Sequence, residues 1–337
     1  MGTEKNIVRN MLVSKKISNF AYSLKLPCLP MKMRLTLAFL LVLLLSGCRR
    51  ESVAPTGNAM YYWRSVFRLD SAERAFLERF HVQRLYVKFF DVAVDEKGAV
   101  TPVATISFSD SVPRGVEVVP TVFIVENCLR AETTGLAQKL VKRVVQMCET
   151  NDIGGVKEVQ LDCDWTVRSR EACYALYERV RNELREHGLG LSATIRLHQL
   201  SMAVPPVDRG VLMVYNTGNP RQLNGRNPIL DMRDVEPYLK RLRGYDLPLS
   251  AAYPAFQWQL FFSNGKFSQV VYGEAPLKRF VGDTLVTWRP SADEVCRVRD
   301  AIGRQRYDVN RELIVYHLDS KQMNNYNPED YEKIFNR

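Results

Sequence analysis

Two carboxylates lie in one short alternating segment of the chain, Val159–Thr166. Successive side chains of a strand point to opposite faces, so a strand here would bury its apolar residues on one face and direct Asp162 and Asp164 to the other. Carboxylates are rarely buried without a partner, whereas the carboxyl ends of parallel barrel strands carry functional groups around the barrel axis. The spacing therefore predicts that both carboxylates reach an open barrel mouth, where a carboxyl pair can donate a proton and attack as a nucleophile. The alternative is that they cap the following helix and contact solvent.

The segments around this one alternate between strand and helix character. Eight segments combine apolar or β-branched runs with turn residues at their ends. They are Tyr61–Val66, Leu85–Val92, Glu117–Val125, Val159–Thr166, Gly190–His198, Gly210–Asn216, Leu247–Tyr253 and Glu312–Leu318. Helical patterns separate most of them, beginning with a capping box at Asp70 and Glu73. The pattern predicts an α/β fold, a single (β/α)8 TIM-type barrel over residues 60–337, with an open doubly wound sheet as the structural alternative.

A β-hairpin insertion is predicted after the seventh strand, because Asn264 and Gly265 suit the positive φ angles of a type I′ turn. No glycine-rich phosphate-binding motif opens a helix, and the cysteines and histidines do not have zinc-binding spacing. The sequence therefore predicts neither a cofactor nor a metal.

Polar and aromatic side chains follow the other predicted strands at the same end as the two carboxylates. The predicted catalytic residues are Asp162, Asp164 and Glu126, and the predicted substrate-binding residues are Asp91, Arg196, His198, Tyr215, Asn216, Trp165 and Trp258. Aromatic rings pack against the C–H groups of a pyranose, while carboxylates, amides and guanidinium groups hydrogen-bond its hydroxyls. These residue types favour a glycan site in which a carboxyl pair works on a glycosidic bond.

Several of these residues also have a structural interpretation. Trp165 and Trp258 suit the core as well as a sugar platform, and Glu126 suits a solvated loop as well as a site. Tyr253 and His317 also end predicted strands, but residues of these types are more often packed in a core.

The first 47 residues predict a leader segment. Basic residues precede an apolar run of 11 residues, Leu35–Leu45, which is too short to span a bilayer and typical of a signal peptide. The run ends before Cys48, which we expect to carry lipid. Residues 48–59 would form a polar tether. The prediction is a lipid-anchored protein of the cell envelope, in the outer membrane rather than the inner because Arg49 follows the cysteine.

The charge and cysteine content argue against two classes of protein. The full chain has a net charge of +10, but residues 48–337 contain 40 basic and 36 acidic residues and no basic run, so nucleic acid is not a predicted partner. Once Cys48 is assigned to lipid, an odd number of cysteines follows it, which does not indicate a disulfide framework. The predicted partners are a glycan and, through the lipid, a membrane.

Two motifs resemble those of chitinase-like glycoside hydrolases. The segment Asp162-Cys-Asp164-Trp165-Thr166 is similar to the Asp-x-Asp-x-Glu end of their fourth strand, and Met213-Val-Tyr215-Asn216 to Met-x-Tyr-Asp on their sixth. The resemblance implies that Asp164 orients an acetamido group and that Tyr215 helps to hold it. Thr166 stands at the position of the acid and cannot protonate a leaving oxygen. Asn216 replaces an Asp, and the strand-eight Trp of that family has no match.

Over most of its length after the leader, the chain resembles an uncharacterised group of Gram-negative lipoproteins classed with domain of unknown function 3142. The segments that carry this resemblance include Leu85–Asp91, Gln160–Thr166, Ser192–Gln199, Val204–Gly210 and Val214–Gly218. The resemblance implies a glycosidase-type barrel and supplies no reaction.

Three hypotheses follow. The carboxylates favour a glycan hydrolase whose acid comes from Glu126, Asp91 or another strand end. Thr166 favours a non-catalytic glycan-binding or assembly lipoprotein. A metal-dependent hydrolase using Asp162, Asp164 and His198 is the third. Carboxyl groups about 5–5.5 Å apart would suit a retaining hydrolase, and about 6.5–9.5 Å an inverting one.

Overall fold

Eight parallel strands form the centre of the computed structural model, which describes residues 56–131, 135–223, 225–271, 278 and 280–336. The strands are β1 (Gly57–Tyr62), β2 (Val82–Val94), β3 (Glu117–Ile124), β4 (Glu158–Cys163), β5 (Gly190–Arg196), β6 (Arg209–Met213), β7 (Leu249–Pro254) and β8 (Glu312–Tyr316). Each strand pairs with its sequence neighbours, and β1 pairs with both β2 and β8. The ring is therefore closed, which confirms the (β/α)8 barrel and excludes the open doubly wound sheet.

Helices cover the outside of this ring. They are α1 (Ser71–Arg79), α2 (Leu136–Thr150), α3 (Arg170–Glu186), α4 (Met232–Leu242), α5 (Ala292–Gln305), α6 (Ser320–Met323) and α7 (Pro328–Phe335). The predicted capping box is confirmed, because Asp70 accepts a hydrogen bond from the backbone of Glu73 and the Glu73 side chain accepts one from the backbone of Asp70. Short 3-10 turns, Glu126–Arg130 and Leu197–Ser201, follow β3 and β5.

The alternation of β4 is as predicted. Its apolar residues belong to the large core between barrel and helices, as Val159 and Leu161 show. Gln160 and Asp162 face the barrel interior, where Gln160 accepts a hydrogen bond from the Tyr61 hydroxyl at 2.8 Å. Burial of the apolar set stabilises the sheet by roughly 25 cal/mol per Å² and thereby determines which side chains point inward.

An antiparallel sheet is inserted between β7 and α5. Its strands are Trp258–Ser263, Lys266–Val271 and Asp283–Trp288. The predicted hairpin is confirmed by the positive φ angles of Asn264 (49°) and Gly265 (75°) at its turn. The third strand was not predicted. The three strands form an insertion sheet beside the barrel mouth.

The leader, Cys48 and the tether up to residue 55 lie outside the described residues. Within the part of the chain that the structure describes, no helix has the length and apolarity needed to cross a membrane. Cys128, Cys148, Cys163, Cys173 and Cys296 are all free thiols.

Candidate functional site

A cavity of about 760 Å³ opens at the C-terminal ends of the barrel strands. Its aromatic walls are Trp63, Phe123, Tyr215, Phe256, Trp258 and Tyr316, and its amide side chains are Asn216, Gln257, Gln259, Gln322, Asn324 and Asn325. Asp162, Arg196, His317 and Lys321 supply the charged and titratable groups. The barrel strands, the insertion sheet and α6 all contribute, so the cavity exists only when these three parts are folded together.

Asp162 lies at the floor of this cavity and is 4% exposed. Its Oδ1 accepts a hydrogen bond of 2.6 Å from the Thr194 hydroxyl and lies 3.3 Å from a guanidinium nitrogen of Arg196. Thr194 and Arg196 are two residues apart on β5, so strand alternation places both on the face to which Asp162 of β4 also points. Tyr215 lines the same cavity as Asp162.

Arg196 links the two carboxylates. Its Nε lies 3.4 Å from Oδ1 of Asp164, and a second nitrogen of the same group contacts Asp162. Burial alone would lower the pKa of Arg196, but the carboxylates of Asp162 and Asp164 outweigh burial and raise it. The guanidinium is therefore a permanent cation between two acidic side chains.

Asp164 differs from Asp162 in exposure, because 63% of its side chain is accessible to solvent. It lines a smaller adjoining cavity of about 240 Å³ together with His198 and Tyr238. Arg196, Met213, Tyr215 and Asn216 line both cavities. Asp164 is thus a rim residue, and Asp162 is the carboxylate at the floor.

Tyr215 lines the main cavity and has a buried hydroxyl. The residue is 6% exposed, and its hydroxyl has no hydrogen-bond partner among the described residues. Burial raises its pKa well above the ordinary value, so the group stays protonated and can donate. A buried hydroxyl without a partner costs about 1–3 kcal/mol, which a ligand acceptor could recover.

The aromatic walls form a continuous cluster. The ring of Tyr316 lies 5.0 Å from Tyr215 and 6.0 Å from Trp63 between centroids, and Trp258 lies 5.8 Å from Phe256. Trp63, Trp258 and Tyr316 are partly exposed. They therefore offer ring faces or edges to a ligand while their remaining surface packs in the barrel interior.

Glu126, one of the predicted catalytic residues, is not among the residues that line either cavity. It accepts hydrogen bonds from Ser169 (2.7 Å) and Thr166 (2.9 Å), and these bonds lower its pKa. A carboxylate held ionised in this way is a poor proton donor at neutral pH. The structure thus places Glu126 in a loop contact and does not bring it to Asp162.

Three other predicted site residues lie away from the cavity floor. Trp165 is fully buried and packs edge-on against Tyr174, which corrects its assignment as a sugar platform. Asp91 is ion-paired with Lys88 at 3.0 Å and lines neither cavity. His198 is exposed and lines the smaller cavity.

Strand-end residues with a structural interpretation divide between core and cavity. Tyr253 belongs to the core, where its hydroxyl donates to Asn310 at 2.6 Å. His317 lines the main cavity, and burial lowers its pKa to about 4, so it is neutral at pH 7. Among the described residues, no three His, Cys, Asp or Glu side chains are close enough together to hold a metal ion. Asp162, Asp164 and His198 therefore do not form such a group.

Sequence reasoning missed several cavity residues. Trp63 follows β1 directly, but the first strand was predicted to run to Val66, so Trp63 was placed inside it. Tyr316 ends β8, which was predicted to continue to Leu318. Thr194 lines neither cavity but bonds Asp162, and it could have been found because it lies two residues before Arg196 on the same face of β5.

Comparison with known proteins gives structural matches and no sequence family. No family model and no curated protein matches the chain. A chitinase from Chromobacterium violaceum ATCC 12472 is similar, with 14% identity and a TM-score of 0.54, covering 84% of this chain and 100% of that one.

Two further solved structures are similar to the chain. The spore cortex-lytic enzyme SleL of Bacillus cereus has 13% identity and a TM-score of 0.53, covering 83% of this chain and 73% of that one. The GH18 chitinase ChiB of Flavobacterium johnsoniae has 11% identity and a TM-score of 0.51, covering 84% and 94%. These values show a shared fold and a distant structural similarity to chitinase-like barrels.

Proposed function

We propose that the chain binds a glycan in the cavity at the barrel mouth and does not hydrolyse it. The observation that carries this proposal is the combination of partly exposed aromatic rings, amide side chains and the unpartnered Tyr215 hydroxyl around one cavity. Rings suit the C–H faces of sugars, and amides and hydroxyls suit their polar groups. The structural similarity to chitinases and a cortex-lytic enzyme supports a glycan as the ligand, although fold alone does not define function.

The arrangement of acids favours binding over hydrolysis. Among the described residues that line the main cavity, Asp162 is the single carboxylate, and it is paired with Arg196. Glycoside hydrolysis requires a protonated acid beside the leaving oxygen. Thr166 occupies the position expected for that acid and donates its hydroxyl to Glu126.

Hydrolysis keeps one supporting observation, which is the pair Asp162 and Asp164 bridged by Arg196. A hydrolase of this kind would need one of these carboxyls to protonate the leaving oxygen, but both lie within 3.4 Å of the Arg196 guanidinium, which competes for their oxygens. Binding is therefore the function that the site supports best.

Calorimetric titration with N-acetylated and unsubstituted oligosaccharides, combined with product analysis by mass spectrometry, tests the proposal. We expect binding without new reducing ends, and Trp258→Ala should weaken binding about tenfold. If the protein bound none of these glycans, the proposal would be wrong. Turnover that Asp164→Asn abolishes would replace binding with hydrolysis.

The location of this function is also a proposal. Lipidation of Cys48 and residence in the cell envelope, at the outer membrane, rest on the leader sequence. The same holds for membership in the group of uncharacterised lipoproteins. Mass spectrometry of the mature N-terminus after expression in a Gram-negative host would detect the lipid on Cys48, and an unmodified cysteine would contradict it.

A further inference from the structure

The end of the barrel opposite the mouth carries an exposed basic groove. Strands β1 and β8 begin side by side there, with Gly57 opposite Glu312 and the amide of Gly57 donating to the carbonyl of Arg311 at 3.0 Å. A groove of about 630 Å³ lies next to this point. Its lining includes Thr56, Arg304, Tyr307 and Arg311. We call these four residues the basal groove.

Two arginines of the basal groove lack an acidic partner. Arg304 and Arg311 are exposed, and neither forms an ion pair with any described residue. Their neighbours differ, because Arg299 is paired with Asp300 at 2.9 Å and Arg306 with Asp308 at 3.0 Å. The acid in the groove lining, Asp300, is thus matched by Arg299, and the charge of Arg304 and Arg311 stays available to an external anion.

An aromatic side chain lies between these arginines in sequence and projects into solvent. Tyr307 is 81% exposed, in the turn that joins α5 to β8. Tyrosine is enriched at membrane–water interfaces, where its ring contacts the acyl boundary and its hydroxyl contacts headgroups. Two exposed guanidinium groups flanking an exposed tyrosine have the chemistry that an anionic lipid surface would recognise.

The chain enters the barrel at this same groove. Thr56 lies eight residues after Cys48, so a fully extended connection reaches at most about 28 Å. If Cys48 is lipidated, this limit holds the basal groove near the bilayer surface. The mouth lies at the opposite end of strands such as β1, whose six residues span roughly 20 Å.

We propose that the basal groove docks on the anionic headgroups of the membrane that holds the lipid anchor, so that the barrel mouth points away from the bilayer. The proposal depends on the predicted lipidation and is independent of glycan binding. Arg304 and Arg311 supply the electrostatic attraction, and Tyr307 inserts at the interface.

Vesicle flotation of residues 48–337 carrying Cys48→Ala, which is the chain expected after removal of the apolar leader, tests the groove without the lipid. We expect binding to vesicles of phosphatidylglycerol and phosphatidylcholine, little binding to phosphatidylcholine alone, and weakening by salt. The double variant Arg304→Glu, Arg311→Glu should bind at least about 30-fold more weakly, since each basic residue near an anionic surface contributes about fivefold. Tyr307→Ala should reduce binding about threefold to fivefold.

The matched control reverses two exposed arginines outside the basal groove, Arg168→Glu and Arg221→Glu, and changes net charge equally. Its binding should equal that of the parent chain. An equal loss in the control would show a net-charge effect and overturn the docking site, as would equal binding to both kinds of vesicle. Displacement by inorganic phosphate beyond sodium chloride of the same ionic strength would identify a site for free anions and overturn the membrane as its occupant.

Thermal unfolding of each variant provides the folding control. If the charge-reversal variant does not fold, the pair Arg304→Gln, Arg311→Gln replaces it with the same expected direction. Because glycan titration is measured at the other end of the barrel, loss of vesicle binding with intact glycan binding would separate this proposal from the proposed function.

Discussion

The two ends of the barrel interior both contain charged side chains, but they are organised differently. At the N-terminal end, Arg209 lies 2.7 Å from Glu158 and 2.7 Å from Glu312, and Arg84 lies 2.9 Å from Glu312. At the C-terminal end, Arg196 lies 3.3 Å and 3.4 Å from its two carboxylates. The ion pairs of the first network are shorter and buried within the barrel, and we call this the closed end. The second network borders an open cavity.

The hydroxyl groups show the same contrast. Tyr86, at the closed end, donates to Glu312 at 3.1 Å and accepts from Arg209 at 3.0 Å. Tyr215, at the mouth, has no partner in the described part of the chain. Tyr215 lines the open cavity, whereas Tyr86 does not, so of the two residues only Tyr215 borders space that a ligand could occupy. Strand alternation directs charged side chains inward at both ends of the barrel. An inward-pointing charged residue is therefore not sufficient evidence for a binding site.

The largest expected effect is on the closed end. Arg209→Ala leaves the partly buried Glu158 without a cation and the buried Glu312 with Arg84 alone, and it should lower the free energy of unfolding by about 3 kcal/mol. Arg196→Ala leaves Asp162 bordering an open cavity with its Thr194 hydrogen bond intact, and it should cost less, about 1–2 kcal/mol. Urea denaturation of the two variants measures both values. Equal losses would break the distinction between a structural end and a functional end.

The second expected effect separates the ends by pH. Burial lowers the pKa of His317 to about 4 from an ordinary 6.5. The unfolded chain therefore binds a proton between these values that the folded chain does not bind, and stability should fall by on the order of 2 kcal/mol as pH drops from 6.5 to 4. His317→Asn should remove this slope in denaturation curves taken at several pH values. An unchanged slope would show that His317 is hydrated at the mouth.

The closed end should respond in a lower pH range. Burial would raise the pKa of Glu312, but Arg209 and Arg84 outweigh burial and lower it below its ordinary 4.5. Its stabilising contribution is complete above 4.5 and is lost as pH falls through the lowered value. In the same denaturation series, the Glu312→Gln variant should lose the part of the acid dependence that lies below pH 4.5. It should keep the part that His317 causes between pH 6.5 and 4. A Glu312→Gln variant that lost stability below pH 4.5 as steeply as the parent chain would contradict the assignment.

The barrel itself could be predicted from the sequence, because burial imposes a period of two on each strand and alternating helices imply a parallel ring. The same alternation also directs the charged residues of the closed end inward, and the sequence analysis did not identify them. Glu158 lies two residues before Gln160 on β4, and Arg209 and Glu312 begin their strands in the same way. Three charged residues at strand starts are weak evidence alone, because only the closed ring brings them together.

The site was predictable in part, for a related reason. Asp162, Arg196, Tyr215 and Asn216 follow from strand ends, since their positions depend on local alternation. Glu126 also follows a strand closely, but its carboxylate is held by Thr166 and Ser169, 40 and 43 residues away. The walls formed by the insertion sheet and α6 depend on tertiary contacts of the same kind, such as the backbone of Gln257 donating to Gln322 at 3.1 Å.

The smallest expected effect makes the sharpest comparison, because one substitution can be made at both ends. Tyr86→Phe removes a hydroxyl that has two partners, and it should cost about 1–2 kcal/mol of folding stability. Tyr215→Phe removes a hydroxyl without a protein partner, so stability should change by less than about 0.5 kcal/mol while glycan affinity falls about fivefold to tenfold. Thermal unfolding and calorimetric titration of both variants give the four values. If Tyr215→Phe destabilised the fold as much as Tyr86→Phe and left affinity unchanged, the mouth would be a second structural end of the barrel, because its unpaired hydroxyl would then act in folding and not in recognition.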